Sequence, residues 1–173
     1  PDAECTILPQ KDDSELFEDI TNWPYDVIVL YNMSQRISET RRQHFIQLLD
    51  RGVGLVVLHH AVAAFQEWPE YPKIIGCQYF IEEKVVNGVK HPPSGYQHGL
   101  DFMVTIADPN HPVTQGLKDF QIHDETYNTY DFDPNVHVLL TTNHPQSARI
   151  LGHAKTYANA NVCYIQPGHG PDI

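Results

Sequence analysis

The chain has 173 residues, 41% hydrophobic and 19% charged, a globular composition with length for one domain and a proper core. Eleven Lys and Arg against 22 Asp and Glu leave a formal charge of −11, so the surface repels phosphate backbones and anionic lipid, which argues against nucleic acid and membrane as partners. No apolar run approaches the roughly 20 residues of a membrane span, and three odd, scattered cysteines, Cys5, Cys77 and Cys163, predict buried free thiols, not a disulfide framework or a thiolate zinc site.

In chain order, residues 4–8 (ECTIL) predict a short strand and residues 14–20 a loop or one helical turn. Residues 25–31 (YDVIVLY) and 55–58 (LVVL) are unbroken apolar runs, the pattern of strands covered on both faces in a parallel sheet. Between them Ser38 suits an N-cap, Glu39 suits the positive end of a helix, and Phe45, Leu48 and Leu49 share one face before Gly52 stops it. These pieces form a β-α-β unit with a right-handed crossover. A doubly wound sheet ordinarily has a strand and a helix ahead of such a unit, so the single domain 1–173 is expected to lack its N-terminal strand. The chain opens on Pro1 and Asp2 instead of Met, which leaves the compartment open. Residues 101–106, 136–141 and 161–165 predict further strands, with 149–157 as a partner for the last.

Ligands of open α/β sheets bind at the carboxyl ends of strands, where His59 and His60 directly follow the 55–58 run. That turn is shaped like a nucleophile turn but holds no Ser or Cys, and residues 61–65 predict the start of a helix. The competing structural reading of either imidazole is a hydrogen bond to backbone inside the core. In residues 108–117 (DPNHPVTQGL) two prolines fix the backbone around His111, for which a structural role is expected. Residues 122–127 (IHDETY) gather an imidazole, two carboxylates and a phenol; in a strand, His123 and Glu125 share one face and Asp124 takes the other. Such groups suit a general base, a metal ligand set or acceptors for sugar hydroxyls. In residues 166–171 (QPGHGP), His169 stands between two glycines after the last strand, where backbone can approach a ligand closely. If the fold unites His59, His60, His123, Glu125 and His169, they make a site for zinc, manganese or a similar divalent ion, although no H-E-x-x-H spacing encodes one locally.

The run 55–61 (LVVLHHA), followed by Ala64-Phe65, Trp68, Glu70-Tyr71 and Ile75-Gly76, resembles the trehalose-utilisation (ThuA-like) family. His111-Pro112, Gly116-Leu117, Asp124-Glu125 with Tyr127, and Gly168-His169 follow in the family's order, so the resemblance covers about residues 25–173. It implies an α/β fold, a flavodoxin-like, class I glutamine-amidotransferase-like three-layer sandwich with a mostly parallel sheet, whose nucleophile turn carries a histidine in place of cysteine. Glutamine hydrolysis is therefore not expected, and Cys77, which follows Gly76, does not fit that turn. The resemblance implies a bacterial sugar-metabolism protein of the cytoplasm or periplasm, acting on a disaccharide, a glycoside or its 3-keto derivative by acid–base or metal-assisted chemistry. The implied catalytic residues are His59, His60, Glu125 and His169, and the implied ligands of a divalent metal ion are His59, His123 and His169. Phe65, Trp68, Tyr71, Asp124 and Tyr127 are the implied substrate-binding residues, the partner being a small-molecule sugar, with homo-oligomerisation a further expectation. The alternative is a non-catalytic carbohydrate-binding or assembly module on the same fold. Two departures from the family stand out: its opening strand and His-containing loop are missing, and residues 158–161 (ANAN) replace a glycine-containing turn.

Overall fold

A computed structural model describes residues 3–8, 14–33 and 35–170. A 3₁₀ turn at Glu15–Phe17 leads to β1 (Val27–Leu30), α1 (Glu39–Asp50), β2 (Gly54–Leu58), a second 3₁₀ turn (His59–Ala63), α2 (Tyr71–Ile75) and the short β3 (Cys77–Gln78). The remainder is nearly all strand: β4 (Lys84–Val86), β5 (Val89–His91), β6 (Gly95–Ile106), β7 (Phe120–Asn128), β8 (Asp131–Phe132), β9 (His137–Thr141), β10 (Ile150–Tyr157) and β11 (Ala160–Ile165).

Seven strands form the main sheet in the order β1-β2-β11-β10-β9-β6-β7. β2 runs parallel to both β1 and β11, whereas β11 with β10, β10 with β9, β9 with β6 and β6 with β7 are antiparallel. The fold is mixed α/β, and the expected mostly parallel sheet is corrected to a parallel core of three strands. Connection length decides this, because α1 provides a crossover between β1 and β2, whereas Tyr157 pairs with Ala160 across a two-residue loop that allows only an antiparallel return.

Ser38 takes the N-cap place of α1 with extended backbone but makes no side-chain cap bond; the first turn closes through the Arg42 amide on the Ser38 carbonyl at 2.9 Å. At the other end Gly52 adopts φ +90°, which stops the helix as expected. Residues 3–8 carry no strand, against the expectation for 4–8, because strand backbone needs a ladder and β1 is paired on one side only, with β2. Cys5 in that segment is exposed, contrary to the expected buried thiol, while Cys77 is buried.

α1 and α2 bury Phe45, Leu48, Ile74 and Ile75 in one core cluster with Ile28, Leu55, Val57 and Val162 of the sheet. On the opposite face Val27 and Val29 remain 50% and 57% exposed, beside a groove of about 930 Å³ lined in part by Val56, Ala154 and Cys163. Burial of the parallel strands on both faces is thus corrected to one face: both helices join the same cluster, and the described residues form no second helical layer. No described helix is long and apolar enough to cross a membrane.

Candidate functional site

β2 and β11 are in parallel register, Leu58 beside Ile165, so the next residues of each strand, His59 and Gln166, leave the sheet side by side. The 3₁₀ turn begins at His59 itself, ahead of the helix start expected at Ala61, and His59 carries φ +47°. A left-handed conformation costs a non-glycine residue about 1–2 kcal/mol and persists only where its surroundings hold it. Here the His59 Nδ1–H donates to the Gln166 carbonyl at 2.5 Å, and the Tyr71 hydroxyl donates to the Ala61 carbonyl at 2.6 Å. The Gln166 bond fixes the neutral tautomer, leaving the Nε2 lone pair free to face the site. Burial lowers the His59 pKa below the ordinary imidazole value, the nearby Glu125 and Asp124 carboxylates opposing it only in part.

That lone pair faces His169 Nδ1 at 3.2 Å and Glu125 Oε1 at 3.5 Å. Glu125 comes from β7, only 5% exposed, and its Oε2 lies 3.4 Å from His169 Nδ1. Strand alternation puts Tyr127 on the same face, with its ring centroid 4.9 Å from that of His59. Burial first, then the charge of Glu125, hold the Tyr127 phenol well above its usual pKa.

His169 sits on a loop whose Gly168 has φ +127°, a conformation glycine alone adopts readily. Asp124, on the opposite face of β7, anchors this loop: Oδ2 accepts the Gly168 amide at 2.7 Å, and Oδ1 accepts the amides of His169 at 3.2 Å and Glu125 at 2.7 Å. From β1's end the Tyr31 hydroxyl donates to the carbonyls of Gly168 (2.9 Å) and His169 (3.1 Å). Pro171, the last residue of the motif read from the sequence, lies outside the described residues.

The structure therefore unites His59, Glu125 and His169, whose donor atoms all fall within 4.8 Å of one another. His60 sits beside them, its ring 5.4 Å from that of His59 and 4.4 Å from that of Tyr31, its pKa lowered first by burial. His123 is not in the group: its exposed ring pairs with Asp101 at 2.9 Å, and Glu125 supplies the third donor instead. Phe65, Trp68 and Tyr71 are buried and packed edge-on or stacked on one another, behind the turn that carries His59.

Sequence reading missed His98. β6 holds one extra residue opposite β7, because Gln97 pairs with Thr126 and Leu100 with Asp124, and Gly99 in this bulge has φ +65°. The bulge aims His98 Nδ1 at Glu125 Oε2, 2.5 Å away, while its side chain stays 58% exposed. A glycine inside the 95–106 run was the signal that could have exposed it. The exposed Tyr96 lies on the same side, its ring 5.2 Å from that of His98.

Chemically, the cluster joins a buried neutral imidazole with its lone pair outward, a buried carboxylate and two half-exposed imidazoles at the rim. It can take a proton on one side and deliver one on the other.

A family model described as trehalose utilisation, ThuA, matches residues 4–173. Among solved structures, a ThuA-like protein from Parabacteroides merdae ATCC 43184 superposes with a TM-score of 0.75 at 24% identity, over 98% of this chain and 69% of that one. A ThuA-like protein from Bacteroides uniformis ATCC 8492 gives 0.56 at 24% identity, over 86% and 62%. The β-galactosidase from Rahnella sp. R3 gives 0.54 at 11% identity, over 82% of this chain and 20% of that one. At such identities the likeness is one of fold, and the chain spans 69% and 62% of the two ThuA-like proteins' own length. No curated protein matches the chain.

Proposed function

The chain belongs to the ThuA family, trehalose utilisation, and from that premise we propose that it processes a disaccharide, a glycoside or its 3-keto derivative at the His59–Glu125–His169 cluster. The observation that carries this reading is His59, held in a left-handed turn at a strand end with its Nε2 lone pair directed at Glu125 and His169. The β1-α1-β2 unit and the turn after β2 support a flavodoxin-related, glutamine-amidotransferase-like fold, of which the described residues supply one helical layer. Amidotransferase chemistry is disfavoured, since a histidine holds that turn and burial pushes the Cys77 thiol far up.

A 3-keto sugar gives the cluster a task. The carbonyl acidifies the hydrogen on C2, and neutral His59 Nε2 accepts that proton as base. The electron pair moves to a C1–C2 double bond, and the glycosidic C1–O bond breaks with its pair on the leaving oxygen. His169, at the solvent side, delivers a proton to that oxygen. Glu125 holds the imidazoles in place, and His60 and Tyr127 close the inner wall. Exchange of solvent deuterium into C2 of a 3-keto-glucoside tests this: the protein is expected to accelerate it, and His59→Ala to abolish the acceleration. Exchange unchanged in that variant removes His59 from the role.

The second reading is a non-catalytic carbohydrate-binding or assembly module. It draws support from the fold's occurring as one fifth of a β-galactosidase chain. Sugar binding with no exchange by any preparation would favour it.

A further inference from the structure

The same cluster has a donor balance that protons satisfy poorly. His59 gives its Nδ1–H to the Gln166 carbonyl, so its Nε2 is a lone pair, and Glu125 contributes lone pairs only. His169 brings one proton at most to the space between them, whereas one cation satisfies all three groups at once. We infer that His59 Nε2, His169 Nδ1 and Glu125 hold a single divalent transition-metal ion with a position left open to solvent, and that His98 orients the Glu125 carboxylate. This rests on the reading of the cluster as the working centre.

Spacing supports the assignment. Adjacent donors around a four-coordinate ion with bonds of 2.0–2.1 Å lie roughly 3.3 Å apart; His59 Nε2 stands 3.2 Å from His169 Nδ1 and 3.5 Å from Glu125 Oε1, and one donor atom from each of the three residues lies within 4.8 Å of the others. The donor set of two imidazoles and one carboxylate selects zinc, manganese or iron(II) over calcium and magnesium, which require six or more oxygens. The surrounding shell is that of a built site. A ligating imidazole characteristically gives its other N–H to a backbone carbonyl, as His59 does, and a ligating carboxylate is held by an outer partner, as Glu125 Oε2 is approached by His98 Nδ1 at 2.5 Å. Asp124 and Tyr31 fix the loop that delivers His169. With three protein donors, and half-exposed His98 and His169 at the rim, the site keeps a position for water or a substrate oxygen, as catalytic sites do. When bound, such an ion would take up the His59 Nε2 and His169 Nδ1 lone pairs, so in the metal-loaded protein these two atoms are ligands in place of proton carriers, and the ion would polarise a sugar carbonyl or hydroxyl. The β6 bulge has a reason in this account, since it spends one residue and a glycine to bring His98 onto Glu125.

The test uses full-length protein dialysed against a chelator and titrated with cobalt(II) and zinc(II), followed by visible absorption and calorimetry. One equivalent is expected to bind, with cobalt d–d bands of low-coordinate character, and millimolar magnesium is not expected to compete. His169→Ala, at a half-exposed loop position that spares the fold, is expected to lose at least 100-fold in affinity. His98→Ala is expected to keep the stoichiometry, lose about 10–100-fold and shift the cobalt spectrum, while His137→Ala on the far side of β9 binds as the parent does. Absence of stoichiometric binding by the folded parent, or unchanged affinity in His169→Ala, overturns the metal site; an unchanged spectrum and affinity in His98→Ala overturn the part assigned to His98. Deuterium exchange into the 3-keto-glucoside, measured in the same samples, separates the two readings. Bound ion without exchange sinks the sugar chemistry and leaves the metal, whereas full exchange by ion-free protein that binds no metal does the reverse.

Discussion

His59 Nε2 and His169 Nδ1 lie 3.2 Å apart although 110 positions separate them in the chain. Strand register brings them together: Leu58 and Ile165 are partners in the parallel β2–β11 ladder, so the two turns that follow start from neighbouring points. Everything downstream depends on whether the loop after β11 is held still.

Asp124 is the residue that holds it, which gives this buried carboxylate a positioning role distinct from the sugar contact expected of it. Asp124→Ala is expected to lower the unfolding free energy by about 1–3 kcal/mol, the cost of leaving the buried Glu125 amide and the partly buried Gly168 and His169 amides without their acceptor. Hydrogen exchange should show the Gly168 and His169 amides losing protection, with β6–β7 ladder amides unaffected. Retained protection at those two amides would assign the loop's anchoring elsewhere.

Tyr71 supports the strained turn from below through its bond to the Ala61 carbonyl. Tyr71→Phe removes only the hydroxyl, and the Ala61 carbonyl keeps its bond from the Ala64 amide at 3.1 Å, so the loss of one hydrogen bond should cost about 0.5–1.5 kcal/mol as read from urea denaturation. A neutral result would show that packing alone maintains the His59 conformation.

The β10–β11 hairpin places Ala158 at φ +50°, in the first position of a two-residue loop that favours glycine. Ala158→Gly is expected to stabilise the protein by about 1 kcal/mol, since it removes a left-handed alanine. The urea midpoint should rise with an unchanged slope.

His153 is buried on β10, its Nε2 bonded to the Ile75 carbonyl at 2.8 Å and its Nδ1 without a hydrogen-bond partner. Burial lowers its pKa, with Lys155 nearby adding to the effect. The folded state therefore binds this proton less readily than the unfolded chain. Stability from His153 is fully present above the unfolded value of about 6.5 and is lost as pH falls toward the lower folded value, by at most about 1.4 kcal/mol per pH unit. Urea midpoints from pH 8 to 5 should decline on the acid side, and His153→Gln should flatten that decline.

Much of the scaffold was legible in the sequence because it is local. Val27–Leu30, the Phe45-Leu48-Leu49 face of α1, Gly52 as its stop and the strands over 136–141 and 161–165 all follow from periodicity and backbone preference, whereas the sequence supports β7, which carries Asp124, Glu125 and Tyr127, only conditionally. Residues 4–8 show the limit of such reading: their composition suits a strand, yet a strand forms only where a neighbour offers a ladder. Trp68, Tyr71 and Phe65 show another, since aromatic type does not say how a ring is packed: all three stack or pack edge-on against one another and also line a cavity of about 270 Å³.

The sequence by itself determined which residues could do chemistry: imidazoles at a strand end, a carboxylate-rich segment at 122–127 and a glycine-flanked histidine near the last strand. Only the tertiary structure decided which of them meet. Parallel register joined His59 to His169, the pleat of β7 sent Glu125 to one side and Asp124 to the other, and a one-residue bulge brought in His98 while His123 turned to Asp101. These are non-local choices, set by hydrogen-bond pairing between strands distant in the chain, and a linear pattern does not encode them.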